Sequence, residues 1–209
     1  MAIMQVKPTR MELQNLKKRL KVAVRGHKLM KDKRDELVRR FMKLIRRNKE
    51  LRESVEAVMG EALKKFVMAR AKMSPHDIEE ALAYPTAQAK ITTSVRSELS
   101  VRVPVFEVTL SDTEGLIPYS FANTAAELDS AIIEFSQLLP KLIELAEIEK
   151  TCNLLAYEIE KTRRRVNALE YVMIPQLEET IRAIKMKLDE NERGNLTRLM
   201  KTKEMLNKK

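Results

Sequence analysis

The sequence predicts a mainly α protein: a long antiparallel two-helix left-handed coiled coil, with a small β-hairpin and short-helix insert at the end opposite the termini. Three observations lead there. Among 209 residues there are only 4 Gly and no Trp, aromatics make up 4% and charged residues 33%. That balance belongs to long helices and coiled coils, and it lacks the turn residues and aromatics that a barrel or sandwich needs. A long stretch near each end of the chain spaces its apolar residues alternately by three and four, and a short β-branched stretch lies between them. The chain therefore reads as residues 1–73 for the first long helix, 74–124 for the insert and 125–209 for the second long helix.

The first helix follows from its seam. From about Arg10 to Lys72 there is no Pro, and Gly occurs only at Gly26 and Gly60. The seam runs through Leu13, Leu16, Leu20, Ala23, His27, Met30, Arg34, Leu37, Phe41, Leu44, Asn48, Leu51, Val55, Val58 and Ala62. Only His27, Arg34 and Asn48 break its apolar character, and all three fall on the same half of it. Polar seam residues fix register and partner choice at some cost in stability; a second reading is that the pair opens there to meet another subunit. At 1.5 Å per residue such a helix runs roughly 95 Å, far more than a small globule needs.

The pattern changes at Ser74-Pro75, a helix start with Pro in its first position. A short helix over DIEEALAY (77–84) is ended by Pro85. AKITTSV (89–95) and LSVRVPVFEV (99–108) then read as strands, with Asp112, Gly115 and Pro118 as breaks after the second. Pro104 marks its strand as an edge. So short an insert buries little core alone and must pack on the helices or on a partner.

Helical spacing returns near Asn123-Thr124, a suitable N-cap. Leu128, Ile132, Phe135, Leu139, Leu142, Leu145, Cys152, Leu155 and Ile159 form one stripe, which resumes at Val166, Leu169, Met173, Leu177, Ile181, Ile184 and Leu188. Pro140 and Pro175 interrupt it, and each removes a hydrogen bond and kinks a helix. Cys152 lies in the apolar stripe as a buried structural thiol.

Reactive residues are sparse. A single cysteine forms no internal disulfide, and His27 and His76 are far apart with no cysteine partner, so no metal or cofactor is expected. No apolar run is long enough to span a bilayer, and the opening MAIMQVKPTRMEL has no signal-peptide core. A cytoplasmic protein is expected. Nucleotide-loop, dinucleotide-fold, esterase-elbow and zinc-protease motifs are missing from the sequence, which argues against an enzyme.

The charge is uneven. Residues 1–73 carry 22 Lys/Arg against 8 Asp/Glu, whereas residues 126–209 carry 15 of each, so the net +10 resides in the first segment. A basic segment of this kind solvates a helix face or attracts an acidic neighbour. A basic coiled-coil nucleic-acid-binding protein or a structural scaffold is the alternative function. Against nucleic acid, the basic residues have no interleaved aromatics to stack on bases, and a full apolar seam lies beneath them.

PTRMEL (8–13), RGHKLMKDKRDEL (25–37) and the long block RRRVNALEYVMIPQLEETIRAIKMKLDENER (163–193) resemble the terminal helices of the central-stalk D subunit of the V-type (vacuolar and archaeal-type) rotary ATPases, and the helix–hairpin–helix order agrees. The resemblance implies a non-catalytic rotor shaft peripheral to a membrane-bound complex, carrying torque between ATP chemistry and H⁺ or Na⁺ transport. Its implied partners are the A and B subunits of the catalytic ring, which takes the end bearing both termini, then the central-stalk F subunit and a socket subunit above the membrane ring. Under that reading Lys28, Lys31, Lys33 and Arg34 on one helix, with Arg163, Arg164 and Arg165 on the other, form a basic collar contacting the A/B ring. The bland reading of the arginine run is solvation plus pairs with Glu158, Glu160 and Glu170.

In an antiparallel pair, facing residues have numbers summing to roughly 200–210. Cysteines placed at Leu37 and at Val166 or Met173 are therefore expected to cross-link on oxidation. Failure across several such pairs would rule out the antiparallel order.

Overall fold

The computed structural model describes residues 4, 6–83, 89–110, 119 and 124–207. Its elements are α1 (Arg10–Lys72), α2 (Pro75–Leu82), β1 (Ala89–Glu98), β2 (Val101–Leu110), α3 (Ala126–Ala168), a π-helical turn (Leu169–Met173) and α4 (Ile174–Asn207). The protein is a mainly α coiled coil with a two-stranded antiparallel insert. It divides into two compact units, one holding residues 1–36 with 159–209, the other residues 37–158.

In the first unit, α1 starts at a capping sequence. Thr9 Oγ1 accepts the Glu12 backbone N–H at 3.2 Å, which satisfies one of the donors that a helix start leaves open. Leu16, Ala23, Leu177 and Ile184 are buried together, and Leu13, Leu20, Leu169, Ile174, Ile181 and Leu188 pack around them. Arg10 pairs with Glu192 and His27 with Glu170. As one number rises the other falls, so the two helices run antiparallel here. Thr180 is buried, but its hydroxyl donates to the Gln176 carbonyl at 2.7 Å and accepts the Met4 N–H at 3.2 Å. A buried hydroxyl must be bonded, and this one ties the segment before α1 onto α4.

The π turn resolves a conflict between Pro175 and the seam. Pro has no N–H and its ring collides with the carbonyl four residues back. Here Ile174 N–H reaches back to the Leu169 carbonyl, five residues rather than four, so the helix has widened just before the proline. A π turn inserts one residue into the helical repeat. The seam therefore passes from Leu169 to Ile174 and on to Leu177, whereas Met173 is 46% exposed. This corrects the expectation that Met173 is a seam residue. Pro140 lies inside α3 without ending it.

In the second unit, Leu37, Val55, Ala62 and Ala69 of α1 are buried, as are Leu128, Ala131, Leu138, Ile148 and Leu155 of α3. Arg52 pairs with Glu149 at 3.3 Å, and Arg47 with Glu144, Lys65 with Glu134 and Lys72 with Glu127. Most of these numbers sum to ~200, at the low edge of the range expected for antiparallel helices. Alanine replaces leucine in the seam where α2 arrives, and Ala69, Ala81 and Leu128 form one buried cluster against Phe66, Met73, Tyr119 and Ile132. Small side chains let helix backbones approach closely. α2 begins as its sequence predicts, with Ser74 Oγ accepting the Asp77 N–H at 3.3 Å and Pro75 in the first turn.

The hairpin differs in detail from its expectation. Leu99 and Ser100, read as strand from the sequence, have φ of 49° and 72° and form a two-residue turn between strands that pair from Ala89↔Leu110 to Glu98↔Val101. Such turns need two left-handed residues and favour Asn-Gly; a branched or β-substituted residue there costs roughly 1–2 kcal/mol. The last residue of the expected short helix, Tyr84, the expected breaks at Pro85, Asp112, Gly115 and Pro118, and the cap at Asn123 lie outside the described residues.

Two stability outcomes are expected. Leu155→Ala should destabilise the chain by about 2–5 kcal/mol in chemical denaturation. Ser100→Gly, which removes a Cβ from a left-handed position, should stabilise the hairpin by up to ~1 kcal/mol, seen as slower amide exchange in both strands.

Candidate functional site

All seven residues expected to form the basic collar belong to the first unit. Lys28, Lys31, Arg163, Arg164 and Arg165 are exposed, while Lys33 and Arg34 are half-buried. The His27–Glu170 contact at 3.3 Å sets the local register, which brings this part of α1 alongside the end of α3 and the π turn. Not every charge is equally available. Arg34 donates through Nε and Nη2 to Asp35 Oδ1 at 3.0 and 2.8 Å, and Arg164 pairs with Glu160 one turn back. Of the expected local partners, Glu160 pairs with the arginine run, whereas Glu170 is directed to His27. Lys28, Lys31, Arg163 and Arg165 are exposed to solvent.

The three polar seam residues are each half-buried. His27 and Arg34 are satisfied by the carboxylates just described. Asn48 lines a cleft of about 360 Å³ with Phe41, Ile45, Cys152 and Ala156. Burial pushes the Cys152 thiol pKa upward, and the Glu149 carboxylate adds to the shift. Both effects disfavour the thiolate, which is the reactive form.

The sequence reading missed an apolar surface beside the collar. The π turn rotates Tyr171, Val172 and Met173 outward, and they are 63%, 60% and 46% exposed. Next to them a groove of about 600 Å³ is floored by Val22, Ala23, Leu169 and Leu177, with Lys18 and Arg19 at its rim. A signal was present: the stripe steps by four twice in succession, from Leu169 to Met173 to Leu177, immediately before Pro175. Beyond Glu192, which faces the first residue of α1, α4 continues to Asn207 with Leu196, Leu199, Met200 and Leu206 exposed.

These features define a class. Among the described residues no group of three or more His, Cys, Asp or Glu could hold a metal, and no helix is long and apolar enough to cross a membrane. Paired helices with exposed basic and apolar surface are what a structural subunit presents to the other chains of an assembly. The comparisons agree. The model of the family described as the ATP synthase D subunit matches residues 12–204. A V-type ATP synthase D subunit from Acetivibrio thermocellus is 59% identical over 208 residues, covering 99% of this chain and 94% of the relative. That of Thermoanaerobacter sp. strain X514 is 56% identical with both chains fully covered, and that of Clostridium novyi strain NT is 58% identical over 100% of this chain and 98% of the relative. The chain belongs to the ATP synthase D-subunit family.

The raised thiol pKa gives a direct expectation. Cys152 should react with iodoacetamide at neutral pH at least about tenfold more slowly in the native chain than in denaturant, the gap narrowing as pH is raised and the thiolate forms. Glu127 gives a second. Its carboxyl is held below the ordinary glutamate range by the hydrogen bond from Lys72. A depressed acid adds stability above its unfolded pKa and loses it as pH falls through the folded one. In NMR titration Glu127 should therefore protonate at lower pH in the wild type than in Lys72→Met.

Proposed function

We propose that this chain is the central-stalk rotor shaft of a V-type ATP synthase, transmitting torque between an A/B catalytic ring and a membrane ring that moves H⁺ or Na⁺. Family membership over residues 12–204 carries this reading. The chain is non-catalytic: ATP is handled by the ring. The unit holding both terminal segments enters the A/B ring, the F subunit clasps the paired helices, and a socket subunit joins the chain to the membrane ring, leaving the complex's stalk on the cytoplasmic side.

The physical chemistry supports the role. A shaft must resist twisting, and an apolar seam with small, tightly fitted residues does so because cores repack only at a cost. A bearing must also slide. Exposed Lys and Arg pairs are worth about 0–1 kcal/mol each, so Lys28, Lys31, Lys33, Arg34 and Arg163–Arg165 can exchange acidic partners in successive subunits without locking. The exposed leucines and methionines at the end of α4 offer the ring an apolar contact of the same non-directional kind.

Copurification with A, B and F subunits, followed by ATPase assay with and without the chain, tests this. One copy per ring and a change in sustained turnover are expected. Reversing Lys28, Lys31, Arg163 and Arg165 to Glu together should weaken ring association by about tenfold or more at low salt and less at high salt, where screening removes the difference. A chain that ignores A, B and F but binds DNA with steep salt dependence would overturn the reading.

A further inference from the structure

The two edges of the hairpin sheet are finished differently. The Phe106 N–H donates to Glu147 Oε2 of α3 at 2.9 Å, so it points out of the sheet and away from β1. Antiparallel pairs alternate between those that exchange both backbone hydrogen bonds and those that exchange none. Phe106↔Thr93 is thereby of the second kind, and so are Pro104↔Val95 and Val108↔Ile91. On β2 the outward row includes, at its centre, Pro104, which has no N–H, and Phe106, whose N–H is taken. The middle of that edge is closed to a further strand.

On β1 the outward row is Ile91, Thr93 and Val95, each with an N–H and a carbonyl directed away from β2. Residues 89–97 are exposed throughout. Native edge strands are blunted by Pro, by charged side chains, by a bulge or by a covering element; β1 has no Pro and no bulge in its register, and its two cations, Lys90 and Arg96, flank the stretch Ile91–Val95 without interrupting it. The side chains of the same row add apolar surface, Ile91 being 52% and Val95 70% exposed beside half-buried Pro104 and Phe106.

We propose that β1 is a strand-addition site: an extended segment of a different chain in the assembly pairs with Ile91–Val95 and makes the sheet three-stranded. Main-chain hydrogen bonds supply affinity in such unions and alternate side chains supply specificity. The flanks state the partner's chemistry. Lys90 and Arg96 bracket the row, and both are exposed. Glu98 accepts from Arg96 at 2.6 Å, which leaves Lys90 as the cation that an Asp or Glu of the segment would face. A second copy of this chain fits poorly, because antiparallel pairing of two β1 strands about Thr93 sets Lys90 opposite Arg96, and like charges directly opposite destabilise. The inference rests on the chain working inside a multisubunit assembly.

Amide hydrogen exchange on the full chain, free and in the complex with which it copurifies, reads the proposal. In the free chain Ile91, Thr93 and Val95 should exchange at least about tenfold faster than Thr92, Ser94 and Arg96, and in the complex they should slow by a similar factor. Val95→Pro mirrors Pro104, removes one outward N–H and spares the ladder, as continued slow exchange at Thr92 and Ser94 would verify. Val95→Ala keeps the N–H and trims the side chain. Proline is expected to weaken association by about tenfold and alanine by less than about threefold. An outward row that stays fast in the complex overturns the proposal, as does an alanine loss equal to that of proline, or self-association of the free chain that Val95→Pro abolishes. Failure of the rotor-shaft reading would register separately, in which subunits copurify.

Discussion

Everything in this chain depends on keeping one apolar stripe in phase along helices far longer than their own repeat. A straight helix has 3.6 residues per turn, and a two-helix seam wants 3.5. Each buried side chain, such as Leu16, Leu37, Leu155 or Val166, sits in the seam only because the phase has been held to that point. Burial of one leucine side chain is worth about 1.5–3 kcal/mol, so a phase error carried over two or three turns would outweigh any surface contact the chain makes. The π turn at Leu169–Met173 is best understood in these terms. It spends one residue to pass Pro175, and the stripe recovers immediately at Ile174 and Leu177.

The same constraint decides where polar chemistry is tolerated. Positions inside the seam must be satisfied locally, because a buried polar group left unpaired costs about 1–3 kcal/mol. His27 finds Glu170, Arg34 finds Asp35, and Thr180 bonds to Gln176 and Met4. Positions off the seam are free to serve other chains. There the sequence places long cations and, at the π turn and the end of α4, unshielded apolar residues. The ion pairs along the interface, such as Arg52–Glu149, are half in water and add little stability. Their role is to select register and direction, since a parallel pairing would scatter them.

How much of this could be read beforehand varies with the physics involved. The long helices were legible because their signal is summed over many repeats, so His27, Arg34 and Asn48 did not obscure it. The start of α2 was legible because Ser74-Pro75 carries its own cap chemistry. Met173 was misplaced because a π turn is a single-residue insertion, and constant spacing cannot represent a slip. The hairpin turn was missed because Leu99-Ser100 contains none of the residues that normally take left-handed backbone; the pairing of two good strands forced the turn, not the reverse. The residues of the proposed collar were named from charge and resemblance, and all seven fall in one unit. Which of them pair with Asp35 or Glu160 depends on side-chain placement, which charge and spacing do not specify.

The proline at 104 shows how sequence, edge and function meet in one residue. Inside a ladder it would remove a hydrogen bond, so it can occupy β2 only in an outward row. It therefore reports, from the sequence, that β2 is an edge strand and that it lacks a donor at this point. Glu147 closes a second position of that edge by accepting from Phe106. A sheet with two solvent edges has reason to close both, since each exposes the same backbone groups. Here the centre of β2 is closed while β1 presents Ile91, Thr93 and Val95 between the exposed cations Lys90 and Arg96, so the two edges are unequal. The strand addition proposed for β1 would use that asymmetry.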